Sequence, residues 1–199
     1  MKPFSVNWDY RCPFARNAHE HIVTALEAGA DWTVTFNAFS LNQVHAPEGG
    51  TPVWEDPAQR RHLLALAAGV VVRDQYPELF LRVHRALFNA RHDEGLDLRE
   101  TDVVAGVLEQ AGAPSDKVLA EVESGAPLER IGEEHMTAVN EWSAFGVPTF
   151  VVDGNAAFVR LMSRPGDDEA LARQTIEGVI ELFDRQPDLN EFKHTTLAR

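Results

Sequence analysis

The stretch Asp9-Tyr10-Arg11-Cys12-Pro13-Phe14-Ala15 decides how this chain folds. Apolar and polar residues alternate directly before it, over residues 4–8, which is the pattern of a half-buried β-strand. Apolar residues recur at helical spacing directly after it, and Pro13 suits the first position of a helix, where its missing N–H costs nothing. The sequence therefore predicts a strand that runs straight into a helix, with Cys12 at the junction.

Cys12 is the only cysteine in the chain, and its position gives it a physical reason to react. Free backbone N–H groups and the positive dipole end at the start of a helix favour a thiolate over a thiol. Arg16, one turn later, can add its charge to the same effect. We therefore expect an unusually acidic thiol. The alternative is that Cys12 is a small buried apolar residue, as most lone cysteines are.

The absence of a second cysteine limits the chemistry of the first. Position 15 holds alanine, where a C-x-x-C redox pair has its second cysteine. A mixed disulfide at Cys12 can therefore be resolved only by a thiol from outside the chain. A single cysteine also excludes an internal disulfide and fits a reducing compartment. The first residues contain no apolar segment of a secretory signal, so we expect a cytoplasmic protein.

The composition argues against two classes of partner. Of the 199 residues, 44% are hydrophobic and 25% are charged, as in an ordinary soluble globular protein. The net charge of −13 disfavours nucleic acid and anionic membranes, because both bind basic surfaces. The longest apolar run, residues 63–72, is too short to span a bilayer. We expect neither a nucleic-acid partner nor a membrane partner.

The predicted elements follow the order βαβ, a block of helices, and then ββα. A second alternation over residues 32–38 follows the first helix, and this βαβ spacing predicts parallel strands. From residue 55 to 145 the pattern is helical and is interrupted by Gly and Pro, which predicts five helices. A strand over residues 149–152, a tight Asp153-Gly154 turn and a partner strand over residues 157–161 precede the last helix.

Together with two motifs, this order resembles the DsbA-like thioredoxin family, in particular its cytoplasmic actinobacterial branch. The motifs are Tyr10-Arg11-Cys12-Pro13-Phe14-Ala15 at the start of the first helix and Phe145-Gly146-Val147-Pro148-Thr149-Phe150 before the third strand. The resemblance covers nearly the whole chain and implies an α/β thioredoxin fold with an inserted all-helical subdomain. The implied parts are the first half of the fold with its loop, the helical insertion, the second half and a C-terminal tail, at residues 1–54, 55–145, 146–185 and 186–199.

The same resemblance implies roles for individual residues. Cys12 matches the nucleophilic cysteine of the family, and Pro148 matches a cis-proline that faces it. The expected substrate-binding residues lie on either side of this pair: Pro13, Phe14, Val147, Pro148 and Thr149. The expected partner is a small thiol or disulfide, with mycothiol or glutathione as the thiol cofactor and no metal.

Three functions are compatible with these residues. The first is a thiol–disulfide oxidoreductase with a single active cysteine, whose mixed disulfide an external low-molecular-weight thiol resolves. The second rests on a resemblance to 2-hydroxychromene-2-carboxylate isomerases and kappa-class glutathione transferases, in which the residue at position 12 would stabilise the thiolate of the cofactor. The third is a non-enzymatic binding module whose cis-proline groove holds a peptide. Cysteine at position 12 favours the first.

Two further features carry expectations. The eight histidines form no recognised metal signature, and His84 and His92 are spaced to share a helix face with Phe88. Trp8 is expected to pack in the core of the sheet. Trp54, in the loop after the second strand, is a candidate lid over the reactive thiol.

Overall fold

The computed structural model describes residues 1–194 and 196 of the chain. These residues form a four-stranded mixed β-sheet and eight α-helices. The strands are β1 Phe4–Trp8, β2 Val34–Ala38, β3 Thr149–Val152 and β4 Asn155–Phe158. The helices are α1 Pro13–Glu27, α2 Leu41–Val44, α3 Arg60–Gln75, α4 Pro77–His92, α5 Thr101–Gln110, α6 Ser115–Ser124, α7 Ala126–Trp142 and α8 Glu169–Arg185.

The sheet brings together two segments that are far apart in the chain. Its order is β2-β1-β3-β4, so β1 and β3 lie in the middle. Strands β1 and β2 are parallel and are joined by α1, which confirms the predicted βαβ unit. Strand β3 runs antiparallel to β1, with Val6 opposite Phe150, and β4 runs antiparallel to β3. The last residue of β1 and the first residue of β3 therefore lie side by side, at the same end of the two central strands.

The helical block packs closely onto the stretch that leaves β1. Residues 65–72 of α3 are all buried, which explains why this run has no polar face. A Cβ on Gly69 would lie 2.5 Å from the hydroxyl oxygen of Tyr10, so only glycine permits this approach. Tyr10 itself is 2% exposed, and Trp8 is fully buried as predicted. The core is thus continuous from the sheet into the helices.

Two boundaries differ from the sequence prediction. Strand β4 begins at Asn155 and ends at Phe158, whereas the prediction placed it at residues 157–161. The reason is the two-residue turn: Asp153 and Gly154 both have positive φ, and the register pairs Val152 with Asn155. The partner strand must therefore start directly after the turn.

The end of α7 also differs from the prediction, which extended this helix to Phe145. The helix ends at Trp142 because Ser143 adopts a left-handed conformation with a φ of 51°. The N–H of Ser143 then donates to the carbonyl of Val139 at 3.0 Å, which closes the last turn. This early end leaves Phe145 on the surface, 68% exposed.

Trp54, the candidate lid, is a half-buried side chain that packs against the core. Its indole packs against α7, where a Cβ on Gly132 would lie 2.6 Å from the indole nitrogen. The ring of His135 lies 5.3 Å from the Trp54 ring, centroid to centroid. Trp54 therefore joins the loop after α2 to the helical block. In the part of the chain that the structure describes, no helix is long and apolar enough to cross a bilayer.

Candidate functional site

Cys12 occupies the residue just before α1, with an extended backbone and its side chain turned onto the helix start. Its sulfur accepts a hydrogen bond from the backbone N–H of Ala15 at 3.4 Å. Its carbonyl accepts the first helical hydrogen bond, from Arg16 at 3.0 Å. The residue is 9% exposed, so the sulfur lies just beneath the surface. Cys12 is therefore the N-cap of the helix that the sequence predicted to start at Pro13.

The second motif lies against this cysteine. The Val147–Pro148 peptide bond is cis. The thiol of Cys12 donates a hydrogen bond to the carbonyl oxygen of Val147, with 3.3 Å between sulfur and oxygen. Two motifs that are 135 residues apart in the chain thus meet at a single atom pair.

The remaining expected substrate-binding residues divide into two groups. Pro13 is exposed and Phe14 is half-buried, so both reach the surface beside the thiol. Thr149 is 5% exposed and points inward, where its hydroxyl donates to the carbonyl of Gly146 at 2.8 Å. Val147 is buried and presents its carbonyl, not its side chain, to Cys12. Thr149 therefore holds the loop in shape.

Asn7, which the sequence analysis did not single out, fastens this loop to β1. Its side-chain oxygen accepts from the backbone N–H of Thr149 at 2.6 Å. Its side-chain nitrogen donates to the carbonyl of Gly146 at 3.4 Å. Asn7 is 4% exposed, so both hydrogen bonds are shielded from water. Asn7 thus holds the loop that carries Val147 against β1.

The expectation of an acidic thiol is wrong for the protein in this state. Burial is the largest influence, and it raises the pKa of Cys12 above its usual value. The N–H groups of Ala15 and Phe14 lower the pKa, as a helix start should, and the positive charge of Arg160 acts in the same direction. The negative charge of Asp9 raises it. The hydrogen bond from the Cys12 thiol to the Val147 carbonyl agrees with this direction.

Two carboxylates hold the guanidinium of Arg16, which the sequence placed one turn after the thiol. Its Nε donates to Glu20, four residues later, at 3.0 Å, and a terminal nitrogen contacts Asp93. Arg164 binds the same two carboxylates, at 3.4 and 3.1 Å. This four-residue cluster fastens α1 to the end of α4. Its positive charges are balanced within the cluster.

A buried carboxylate shapes the turn that carries the cysteine. Asp9 accepts hydrogen bonds from the backbone N–H of Arg11 at 2.9 Å and of Leu41 at 2.8 Å. Its own carbonyl accepts from the N–H of Cys12 at 3.1 Å. Burial raises the pKa of the Asp9 carboxyl group, and the two N–H groups lower it. Asp9 thus ties the Cys12 turn to the start of α2.

Beneath this turn lies a buried chain of hydrogen bonds through two histidines, which we call the histidine chain. It runs from the Tyr10 hydroxyl to His84 at 2.9 Å and from His84 to His19 at 2.9 Å. From His19 it continues to the carbonyl of Asn7 at 3.1 Å. Both histidines are 0% exposed. The chain connects β1, α1 and α4.

The Asn7 carbonyl, at one end of the histidine chain, determines which group donates in each of its hydrogen bonds. The Asn7 carbonyl can only accept, so His19 carries its proton on Nε2 and accepts on Nδ1. His84 must then donate from Nε2, and its Nδ1 accepts from Tyr10. Burial lowers the pKa of His19 to about 4, and the pKa of His84 is also well below its usual value. Tyr10, His84 and His19 are therefore all uncharged.

The surface beside Cys12 carries a row of side chains that we call the aromatic strip: Phe14, Arg160, Phe158 and Phe145. The Arg160 guanidinium lies over the Phe14 ring, 4.7 Å from its centroid, and 5.7 Å from the centroid of Phe158. The rings of Phe158 and Phe145 are 5.1 Å apart. The strip thus links the start of α1 to β4 and to the loop before β3.

A cavity lies behind this site, on the other side of the loop of Val147. It has a volume of about 490 Å³ and lies between α7 and the sheet, lined by Asn7, Asn37, Glu134, Trp142 and Thr149 among others. Cys12 does not line it, although Asn7 and Thr149 connect its wall to the loop behind Val147. Within residues 1–194 and 196, no group of three or more His, Cys, Asp or Glu side chains is placed to hold a metal ion.

Solved structures with the same fold have different chemistries. A 2-hydroxychromene-2-carboxylate isomerase aligns with a TM-score of 0.60 and 17% identity, over 94% of this chain and 99% of its own. The cytosolic disulfide reductase DsbM from Pseudomonas aeruginosa, solved with GSH, aligns with a TM-score of 0.62 and 14% identity, over 90% and 100%. A probable DsbA oxidoreductase from Streptomyces coelicolor aligns with a TM-score of 0.64 and 12% identity, over 99% and 94%. At these identities the likeness shows the fold alone.

The family follows from the sequence match. The DSBA-like thioredoxin domain family matches residues 5–168, which include both motifs and the helices between them. No curated protein matches the sequence. The fold is the predicted α/β thioredoxin fold with a helical insertion. The chain therefore belongs to the DSBA-like thioredoxin domain family.

Proposed function

We propose that this protein is a thiol–disulfide oxidoreductase that works through Cys12 alone. The observation that carries the proposal is the 3.3 Å contact between the Cys12 sulfur and the Val147 carbonyl, at the start of a helix. A nucleophilic sulfur, N–H groups that stabilise its anion and an exposed approach over Pro13 occur together there. The chain has no second cysteine, so the mechanism is monothiol.

Reaction begins with deprotonation of a thiol, not with a preformed thiolate. Cys12 releases its proton to solvent and gives up the hydrogen bond to Val147, while the N–H of Ala15 continues to stabilise the sulfur. The thiolate attacks one sulfur of a substrate disulfide, and the bond between the substrate sulfurs breaks. One half of the substrate leaves as a thiolate, and the other half forms a mixed disulfide with Cys12.

An external thiol completes the cycle. Its thiolate attacks the half of the mixed disulfide that came from the substrate, which frees Cys12 and forms a new disulfide outside the protein. We assign this role to a low-molecular-weight thiol such as glutathione or mycothiol. The neighbouring disulfide reductase from Pseudomonas aeruginosa was solved with GSH, which supports a small thiol or disulfide as the partner.

We place the protein in the cytoplasm for the same reason. A lone thiol that must react reversibly with small thiols needs a compartment in which those thiols are reduced. The free Cys12 and the cytosolic neighbour support this location.

One observation favours a second function. The resting Cys12 is a protonated thiol that donates a hydrogen bond. A donor at this place is suited to holding the thiolate of a bound cofactor, as a glutathione-dependent isomerase or transferase requires. The 2-hydroxychromene-2-carboxylate isomerase among the structural neighbours supports this alternative.

Cys12→Ser separates the two functions. The reduction of hydroxyethyl disulfide by glutathione is measured for the wild type and for the variant, with and without added glutathione. The monothiol mechanism predicts turnover only with the wild type and only with the thiol present. If the serine variant instead retains glutathione-dependent isomerase activity that equals the wild type's, Cys12 acts as a donor and the oxidoreductase proposal fails. Binding of a peptide or a thiol without any turnover would point to a binding module.

A further inference from the structure

Arg160 stands out among the charged residues near the thiol. The chain carries 31 acidic and 18 basic residues, so carboxylate partners are abundant. Nevertheless, within residues 1–194 and 196, no carboxylate lies within ion-pair distance of Arg160. Arg164, four residues later in the chain, binds two carboxylates. Arg160 therefore has its charge available, next to Cys12.

Aromatic rings hold this guanidinium in place. Phe14 and Phe158 contact it at 4.7 and 5.7 Å from their ring centroids. An aromatic ring offers no acceptor oxygen, so the guanidinium N–H groups keep their capacity to bind an anion. These N–H groups match the two oxygens of a carboxylate. The strip thus presents a fixed carboxylate receptor without a carboxylate of its own.

Arg160 lies on the side of Cys12 where α1 begins. Its positive charge lowers the pKa of the Cys12 thiol. Phe14, on which Arg160 rests, follows Cys12 by two residues. A molecule whose sulfur reaches Cys12 therefore has a free guanidinium on the Phe14 side of the thiol.

We infer that Arg160 is a specificity-determining residue, which binds a carboxylate of the small disulfide or thiol that reacts with Cys12. The inference rests on the proposed function for the identity of the reaction. It names the chemical class of the substrate: a disulfide that bears a carboxylate, as glutathione disulfide does and mycothiol disulfide does not. Phe14 and Phe158 act as positioning residues, because both rings contact the guanidinium.

The first test does not depend on turnover. Cys12 is alkylated with iodoacetate, which carries a carboxylate, and with iodoacetamide, which is neutral and of similar size. The ratio of the two rates cancels any change in the thiolate fraction of Cys12. In Arg160→Gln we expect this ratio to fall about fivefold, which corresponds to about 1 kcal/mol, the upper end for an exposed charge pair.

A matched control removes the same charge at the other end of the sheet. Arg185, at the end of α8, is exposed and follows Asp184, which contacts Lys2 before the start of β1. Cys12 follows the opposite end of β1. Arg185→Gln should leave the ratio of alkylation rates unchanged. An equal fall in both variants means that net charge, not Arg160, sets the preference, and it overturns the inference.

The second test uses substrates. The ratio of kcat/KM for glutathione disulfide to that for hydroxyethyl disulfide should also fall about fivefold in Arg160→Gln, with Arg160→Lys between the two. An unchanged ratio overturns the inference even if the enzyme is active. If the wild type reduces neither disulfide, the proposed function fails, and the alkylation ratio still decides whether Arg160 attracts carboxylates.

Discussion

Acid should destabilise this protein through its buried histidines, well above the pH at which carboxylates titrate. In the unfolded chain a histidine binds a proton below about pH 6.5. In the folded chain burial holds the pKa of His19 at about 4, and it also holds the pKa of His84 well below its usual value. The unfolded state therefore binds more protons between these values, so the free energy of unfolding falls as the pH falls.

The structure gives the size of this effect. For His19, the difference between 6.5 and about 4 corresponds to a loss of about 3 kcal/mol at full protonation of the unfolded chain. About 2 kcal/mol of it is lost by pH 5. His84 adds to the loss, as does His135, whose pKa burial lowers to about 4. Asp9, whose pKa burial raises, acts in the opposite direction, so the observed slope is a lower limit for the histidines.

Urea unfolding, followed by tryptophan fluorescence at pH 7.5, 6.5, 5.5 and 5, measures this slope. Unfolding should take up at least about two protons near pH 5, as calculated from the change of free energy with pH. His45→Gln, which removes an exposed histidine outside the histidine chain, serves as the control and should keep the same slope. A free energy of unfolding that is equal at pH 7.5 and pH 5 would refute the neutral, buried chain.

Three substitutions test the packing around the thiol. Tyr10→Phe removes the donor to His84 and leaves a buried nitrogen unpartnered, so the free energy of unfolding at pH 7.5 should fall by about 1–3 kcal/mol in urea titrations. Gly69→Ala places a Cβ 2.5 Å from the Tyr10 hydroxyl, and it should cost about 1–3 kcal/mol in the same assay. Ala15→Cys should form a disulfide with Cys12, seen as the loss of two hydrogens by mass spectrometry, and should reduce disulfides less dependently on glutathione. An unchanged free energy of unfolding in Tyr10→Phe or in Gly69→Ala would contradict the close packing of the Tyr10 hydroxyl. An Ala15→Cys variant that stays reduced under oxidised glutathione would contradict the proximity of residues 12 and 15.

The strands and long helices were predictable because each depends on local pattern. The alternation before Cys12 and the helical spacing after it correspond to β1 and α1, and the parallel pairing of β1 with β2 follows from the connection. The spacing of His84 and His92 also placed both rings against Phe88, at 5.0 and 6.3 Å. The first residue of β4 was mispredicted because the two-residue turn, not the apolar residues, determines where that strand starts.

The state of Cys12 was mispredicted for two different reasons. Burial, which raises its pKa, depends on the helical block and on the loop of Val147, and nothing near Cys12 in sequence indicates it. The pairing of Arg16 with Glu20 is different, because a spacing of four residues on a helix is readable from sequence. That spacing already indicated that Arg16 has a competing partner.

The histidine chain and the aromatic strip had no sequence signal. His84 lies 74 residues from Tyr10 and 65 from His19, so only the packing of α4 onto α1 brings them together. Arg160 lies two residues beyond the end of β4, at a place where the sequence predicted more strand. The contact between Arg160 and Phe14 could therefore be predicted only with the right bounds for β4.

The most direct test of the central claim is the mass of the intact protein after reaction with oxidised glutathione. The account predicts one glutathione joined to Cys12, none in Cys12→Ser, and complete removal of the adduct by added reduced glutathione. It also predicts that turnover of disulfide stops when the free thiol is withheld. A wild type that gains no adduct, or that turns over disulfide at the same rate without any added thiol, would contradict the single-cysteine mechanism.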